Sequence, residues 1–468
     1  GGREQTLMDF LTNLVDVVNN YLWNYVLLFL LVGTGVYFSI RLRFVQVRKL
    51  GAGLKHTFGG LTLRGEKADH EGMSSFQALA TAVAAQVGTG NIAGAATAIV
   101  SGGPGAIFWM WVSAFFGMAT NYTEAVLAQK YRSTDENGKV VGGPVYYIKA
   151  AFPNGFGKFL AGFFSVAIIL ALGFMGNMVQ SNSISDAMFT AFGVPKVVVG
   201  ILVALVAGFI FLGGVQRIVS VTEKLVPIMA LLYIVGSLAV LVCNWRNLPG
   251  VFVSIFTAAF NPSAVLGGAA GITVQKAMRF GVARGLFSNE AGMGSTPHAH
   301  ALAKVKQPQD QGIAAMVGVF LDTFIILTLT ALVILSTGAT ASGLTGAALS
   351  QYAFASVFGK AGEVFIAICM LFFAFSTIVG WYFFGQANVK SLLGEKAIKV
   401  YSLLVVVFVA VGSCLKVQLV WDASDMFNGL MVLPNLLALL ALSNLMTRLE
   451  KDHMAKEAAE KAAEHTNA

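Results

Sequence analysis

The stretch Ser74–Val100 runs for 27 residues without an Asp, Glu, Lys or Arg. As a helix it is long enough to cross a bilayer, which takes roughly 20 apolar residues. Near its middle stands Gln86-Val87-Gly88-Thr89-Gly90-Asn91. Glycine weakens a helix by about 1 kcal/mol per position relative to alanine. In hydrocarbon, backbone N–H and C=O groups freed from a helix persist only where protein, water or a ligand satisfies them. A membrane-length helix with a break at mid-depth therefore points to a site for a ligand that takes bare backbone dipoles.

The rest of the chain fits a membrane setting. It is 56% hydrophobic and 12% charged, where a soluble domain carries about 25% charged residues. The expected fold class is an all-α polytopic membrane protein. Eleven candidate spans lie at about 22–40, 74–100, 105–129, 159–190, 195–213, 221–243, 252–280, 312–338, 362–388, 400–415 and 424–446. After the first span come Arg41, Arg43, Arg48, Lys49, Lys55, Arg64 and Lys67, which places that loop in the cytoplasm. Alternation from there puts 26 of the 31 Lys and Arg inside and leaves Arg3, Lys196, Arg246, Lys360 and Lys416 outside. The N-terminus is then expected outside and the C-terminus in the cytoplasm. The net charge of +8 follows from this topology, so no nucleic-acid partner is expected. Cys243, Cys369 and Cys414 are far apart and read as isolated apolar packing residues. The polar first residues and the long first apolar run do not fit a cleavable signal.

Residues 1–73 read as an accessory span with a basic loop, and 448–468 as a charged cytosolic tail with a solvated face. The ten spans between them divide into sets of five, over 74–243 and 244–447. Five spans each means that the sets cross from opposite sides, the arithmetic of an inverted repeat. Each set would open on a glycine-broken helix, at Gly88-Thr89-Gly90-Asn91 and at Gly267-Gly268-Ala269-Ala270-Gly271. Paired interruptions at matching places are a pointer to a transporter site; two glycine-rich packing faces are the bland alternative.

The polar residues of the first break are all neutral. Amides opening its second half-helix suit a carboxylate. Carbonyls ending its first half-helix suit a hard cation such as sodium. A zwitterionic amino acid with a cation beside it matches both ends. In the span 362–388, Ser376 and Thr377 offer hydroxyl oxygens to a cation, or bond back to their own helix. Trp381, one turn on, is placed to wall a small pocket. Asp322 lies about ten residues into its span and either relays a proton or caps a neighbouring helix; we read it as structural. Glu124 and Glu223 near the inner face read as ion-pair residues. The run Ser288–His300, with Asn289, Glu290, His298 and His300, falls on the cytoplasmic side, where two solvated histidines are the simplest reading. HExxH, GxSxG and P-loop patterns are absent, and the GxG follows no strand.

Four runs together resemble the alanine or glycine:cation symporter family, the bacterial amino acid carrier proteins. They are Val87-Gly-Thr-Gly-Asn-Ile-Ala-Gly94, Gly102-Gly-Pro-Gly-Ala-Ile-Phe-Trp-Met-Trp111, Gly142-Gly-Pro-Val-Tyr-Tyr147 and Phe287-Ser-Asn-Glu-Ala-Gly-Met-Gly-Ser295. The resemblance covers about residues 20–446. It implies a LeuT-type fold of the amino acid–polyamine–organocation superfamily, with discontinuous first and sixth core helices and one extra N-terminal helix. It also implies uptake of alanine or glycine driven by sodium, or in some members by protons. Carried onto this chain, the sodium site would use the carbonyls of Ala84 and Val87 and the side chains of Ser376 and Thr377. The substrate pocket would use Gln86, Thr89, Gly90, Phe174, Gly268, Gly271, Ile272 and Trp381. Relatives often read Gly-Ser-Gly where this chain has Gly-Thr-Gly, which adds a methyl to a small pocket.

The function expected is a symporter of small neutral amino acids, coupled to sodium, in a bacterial inner membrane. A proton-coupled carrier or an amino acid exchanger is the alternative within the superfamily. A polytopic membrane enzyme built on Asn289, Glu290 and His298 lacks a converging nucleophile and base, so no catalytic residue is assigned. A channel would seldom need the inverted pairing.

Overall fold

The computed structural model describes residues 1–59, 72–415 and 418–468. Arg64, Lys67 and Lys416, which entered the topology expectation, lie outside the described residues. The described chain is almost wholly helical, with two short two-stranded pairings, Met73–Ser74 with Ala303–Lys304 and Ser133–Thr134 with Val140–Val141.

Among the described residues six helices are long and apolar enough to cross a membrane: Gly2–Arg41, Gly155–Phe192, Gly214–Cys243, Pro308–Ser336, Lys360–Leu393 and Gln418–Ala441. Lys196–Leu212 and Ala397–Gly412 are shorter and apolar. Ser75–Gln86 and Gly90–Gly102 form one broken span, bent by 50°. Gly105–Lys130 and Val274–Asn289 join the bundle, packed against each other.

Local chemistry sets these boundaries. Ser74 and Gln77 form a capping box, each side chain bonding the other residue's amide. Gly103 turns at φ +72°, and Pro104 then opens the next helix. A left-handed Gly193 ends Gly155–Phe192. Gly380 lets Lys360–Leu393 lie directly on the first broken helix, since a Cβ there would meet Ala85 at 3.0 Å.

The expected span 252–280 does not exist as one element. Its sequence divides into the helix Leu248–Phe260, a short helix Pro262–Leu266, an exposed turn and the first part of Val274–Asn289. Gly267 and Gly271 adopt φ +81° and +66° in that turn, so the glycine run serves tight chain reversal rather than a mid-membrane break. Lys276 lies beside Gly102, at the opposite end of the bundle from the expected cytoplasmic loop. Arg284, further along the same helix, pairs with Asp425.

The tail is also less detached than expected. Ser443–Thr466 is one helix, and its first turns dock on the bundle with Glu450 and His453 buried. Arg48 and Tyr122 both donate to Glu450, and Lys49 pairs with Glu457 at 2.7 Å. Cys369 is buried as expected, whereas Cys243 and Cys414 are exposed.

Candidate functional site

The first break follows from where two amides go. In an unbroken helix the N–H of Gly88 would bond Ala84 O and that of Thr89 would bond Ala85 O. Here the Gly88 N–H donates to Asn91 Oδ1 at 3.0 Å, and the Thr89 N–H donates to Gln180 Oε1 at 3.0 Å. Val87 is extended, at φ −86° and ψ 97°. A Cβ on Gly88 would fall on Thr377 Oγ1, so only glycine fits that approach.

The freed carbonyls find the expected hydroxyls. Thr377 Oγ1 lies 2.9 Å from Ala84 O and 3.2 Å from Val87 O. Ser376 Oγ lies 3.1 Å and 3.4 Å from the same two carbonyls and 2.8 Å from Phe373 O. The structure thus gathers Ala84, Val87, Ser376 and Thr377 into one buried cluster of oxygens. A buried carbonyl without a partner costs about 1–3 kcal/mol. The hydroxyls meet that need, and five converging oxygens are the donor set that a hard cation takes.

The second break lies 19 residues beyond Gly271, at Glu290. Val274–Asn289 ends at Glu290, whose φ of +59° is left-handed and whose side chain is buried. The chain resumes at Pro297–His300 after Gly292 and Gly294, both at positive φ. Glu124 receives the amides of Gly292 at 2.6 Å and Gly294 at 2.9 Å, and the side-chain amide of Asn435 at 3.1 Å. Its expected ion pair is replaced by these hydrogen bonds, because the carboxylate caps an unwound backbone. Glu223 likewise accepts from Gln77 at 3.2 Å and pairs with no cation among the described residues.

The two breaks meet. Gln86 Nε2 donates to Asn289 O at 2.7 Å. A Cβ on Gly90 would sit 3.0 Å from the Phe287 ring and 3.4 Å from Ser288. Asp322 joins both sides: Asn91 Nδ2 donates to its Oδ1 at 2.8 Å, and Ser288 Oγ to its Oδ2 at 2.7 Å. Trp381 closes the cluster. Its indole N–H donates to Glu290 Oε1 at 2.5 Å, and its ring meets Phe287 edge to face at 5.6 Å.

Of the expected pocket residues, Gln86, Thr89, Gly90 and Trp381 come together here, all buried. Gly268, Gly271 and Ile272 do not, because they belong to the surface turn. Phe174 packs on Phe408 and Tyr401 instead, at 4.8 and 5.8 Å between ring centroids. From its helix it is Gly176 that faces Trp381 and Gln180 that reaches the break. The run Ser288–His300 is not a solvated loop. His298 donates through Nδ1 to Ser295 O at 2.7 Å, accepts from Asn388 Nδ2 at 2.9 Å, and stacks between Phe164 and Phe384. Gln311 Nε2 donates to His300 Nδ1 at 2.6 Å. Among the described residues no group of three or more His, Cys, Asp or Glu side chains could hold a metal ion. Sequence reasoning missed Gln180, and it placed Glu290 and Asn289 at the membrane surface. The signal available was the repeated Gly-x-Gly: Gly88-Thr89-Gly90 in the first break and Gly292-Met293-Gly294 in the second.

Two discontinuous helices meeting at buried, freed backbone define a multi-pass membrane carrier with a LeuT-type fold. The chain belongs to the sodium:alanine symporter family, whose profile it matches over residues 8–467. It is 43% identical over 444 residues to the sodium/alanine symporter AgcS of Methanococcus maripaludis, covering 94% of this chain and 96% of that one. It is 40% identical to the probable sodium/glutamine symporter GlnT of Bacillus subtilis, covering 97% and 93%. The fold resembles MhsT in complex with L-phenylalanine, with a TM-score of 0.56, 14% identity, and 82% of this chain and 100% of that one covered. It also resembles a Na+-coupled sialic acid symporter, with a TM-score of 0.50, 14% identity, and 91% and 85% covered. The chain is accordingly a transporter and not an enzyme.

Proposed function

We propose that this protein imports small neutral amino acids, alanine and glycine foremost, by symport with sodium through alternating access. Its setting is a bacterial inner membrane, with the N-terminus outside and the C-terminus in the cytoplasm. One observation carries the reading: Ala84 and Val87 O, freed by the break at Gly88, lie within 2.9–3.4 Å of the Ser376 and Thr377 hydroxyls. A sodium ion among these oxygens ties Lys360–Leu393 to the broken helix. The Thr89-Gly90 turn that it orders is also where the substrate is held. Each ligand then favours binding of the other, which is coupling in the thermodynamic sense. The relative named as a sodium/alanine symporter supports alanine as substrate. The packing of Phe287 and Ser288 against Gly90 supports a small one.

Alanine uptake into proteoliposomes tests this, with and without an inward sodium gradient. Sodium is expected to drive accumulation. Uptake that ignores sodium and follows a pH gradient would overturn the coupling ion and favour the proton-coupled alternative.

A further inference from the structure

Three carboxylates are fully buried around the two breaks: Glu124, Glu290 and Asp322. Two of them are saturated. Glu124 accepts from Gly292, Gly294 and Asn435, and Asp322 from Asn91, Ser288 and Thr323. Glu290 is different. Oε1 accepts the Trp381 indole N–H, while Oε2 makes no well-formed hydrogen bond, the nearby Ser295 hydroxyl being unpartnered as well. Among the described residues no Lys, Arg or His forms an ion pair with Glu290, while Glu124 and Asp322 are nearby like charges. A buried carboxylate in such company calls for a positive partner.

We propose that Glu290 Oε2 receives the ammonium group of the amino acid substrate. This rests on the reading given under Proposed function and assigns the second half of that site. Glu290 is the residue at which the second helix breaks, one turn from Phe287, which packs on Gly90. Trp381 touches both, bonding Glu290 and packing on Phe287. The free oxygen thus belongs to the same cluster as the Thr89-Gly90 turn. An ammonium group is content with one carboxylate oxygen and aromatic surface. Sodium needs a shell of oxygens, and that shell is at Ala84, Val87, Phe373, Ser376 and Thr377. The zwitterion therefore spans the breaks, its ammonium on Glu290 and its carboxylate toward the first helix. With a sodium ion included, Glu290, cation and substrate sum to no net charge.

The test is equilibrium binding of labelled L-alanine at saturating sodium to purified wild-type protein and to Glu290→Gln. L-Lactate, which carries a hydroxyl where alanine carries the ammonium, is the competitor. Wild type is expected to prefer alanine over lactate by about 100-fold or more, and Glu290→Gln to lose alanine affinity by about 50-fold while its preference shrinks below about threefold. Sodium-dependent thermal stabilisation of the variant should persist, which reports an intact fold and cation site. Alanine affinity unchanged in the variant would overturn the inference. Equal losses of alanine and lactate would overturn it as well, since Glu290 would then act only through Trp381. If Glu290→Gln shows no sodium response, Glu290→Asp takes its place. It keeps the charge and should keep the alanine preference, and loss of that preference overturns the inference. Wild-type protein that binds no amino acid at all would instead remove the functional reading itself.

Discussion

At the first break the amides that leave the helix go to neutral acceptors, the side-chain oxygens of Asn91 and Gln180. At the second they go to the Glu124 carboxylate and, for Ala291, to Asn289 Oδ1. The carbonyls left over also differ in company. Those of Ala84 and Val87 face two hydroxyls, while Asn289 O is already bonded by Gln86. The first break therefore gathers neutral oxygens, the donor set of the cation site we propose. The second has its dipoles tied by a built-in anion and presents the chain's own carboxylate, Glu290. Geometric likeness between the halves of a repeat does not extend to chemical likeness.

The sharpest way to break this comparison is steric. Gly88→Val places carbon where Thr377 Oγ1 stands, so sodium-driven alanine uptake should vanish while the protein still reaches the membrane. Its control is Gly268→Ala in the surface turn, where a Cβ meets nothing within 4 Å; uptake there should match wild type. A large loss in the control would return the second break to Gly267–Gly271. The next effect is chemical. Thr377→Ala removes one of two hydroxyls from the oxygen cluster and should raise the sodium concentration for half-maximal uptake about 10–100-fold, the equivalent of one charge-assisted contact. An unchanged sodium response would mean that the cluster only pins the helix.

A smaller effect is expected at the second break. Glu124→Gln turns one acceptor into a donor facing backbone amides, and should lower folding stability by about 1–3 kcal/mol, read as an earlier melting midpoint in detergent. Its sodium concentration for half-maximal uptake should stay near wild type, and a shift comparable to that of Thr377→Ala would erase the division between the two breaks. Smallest of all is the docked tail. Lys49→Ala removes a partly buried ion pair with Glu457 at the bundle's edge and should cost about 1 kcal/mol or less, with uptake intact.

The first break could be read directly because its surroundings are free of charge over a full membrane thickness. The second was hidden by charge. Arg279, Arg284, Glu290, His298 and His300 make their region look like a water-facing loop. Its partners lie far away in sequence: Asp425 for Arg284, Asn388 for His298, and Glu124 for the glycine amides. No local pattern announces such pairings. The misplaced break at Gly267–Gly271 has the converse cause, since glycine serves a positive-φ turn as readily as an opened helix. Ser376 and Thr377 were legible as a pair of hydroxyls in an aromatic helix, and the resemblance supplied their partners. Phe174 was placed by helix position, but the π-helical turn Ile169–Gly176 shifts the register and turns its ring toward Phe408.

The strand pair joining Met73–Ser74 to Ala303–Lys304 has a mechanical consequence. One rung lies just before the first broken helix begins, and the other just after the second one ends. Met73 N–H also donates to Leu302 O at 2.8 Å, and Gln129 pins His300 O and Ala303 O from a third helix. The half-helices Ser75–Gln86 and Pro297–His300 are yoked like paired oars. Any displacement of one half-helix at that end of the bundle is transmitted to the other, or must first break these backbone hydrogen bonds.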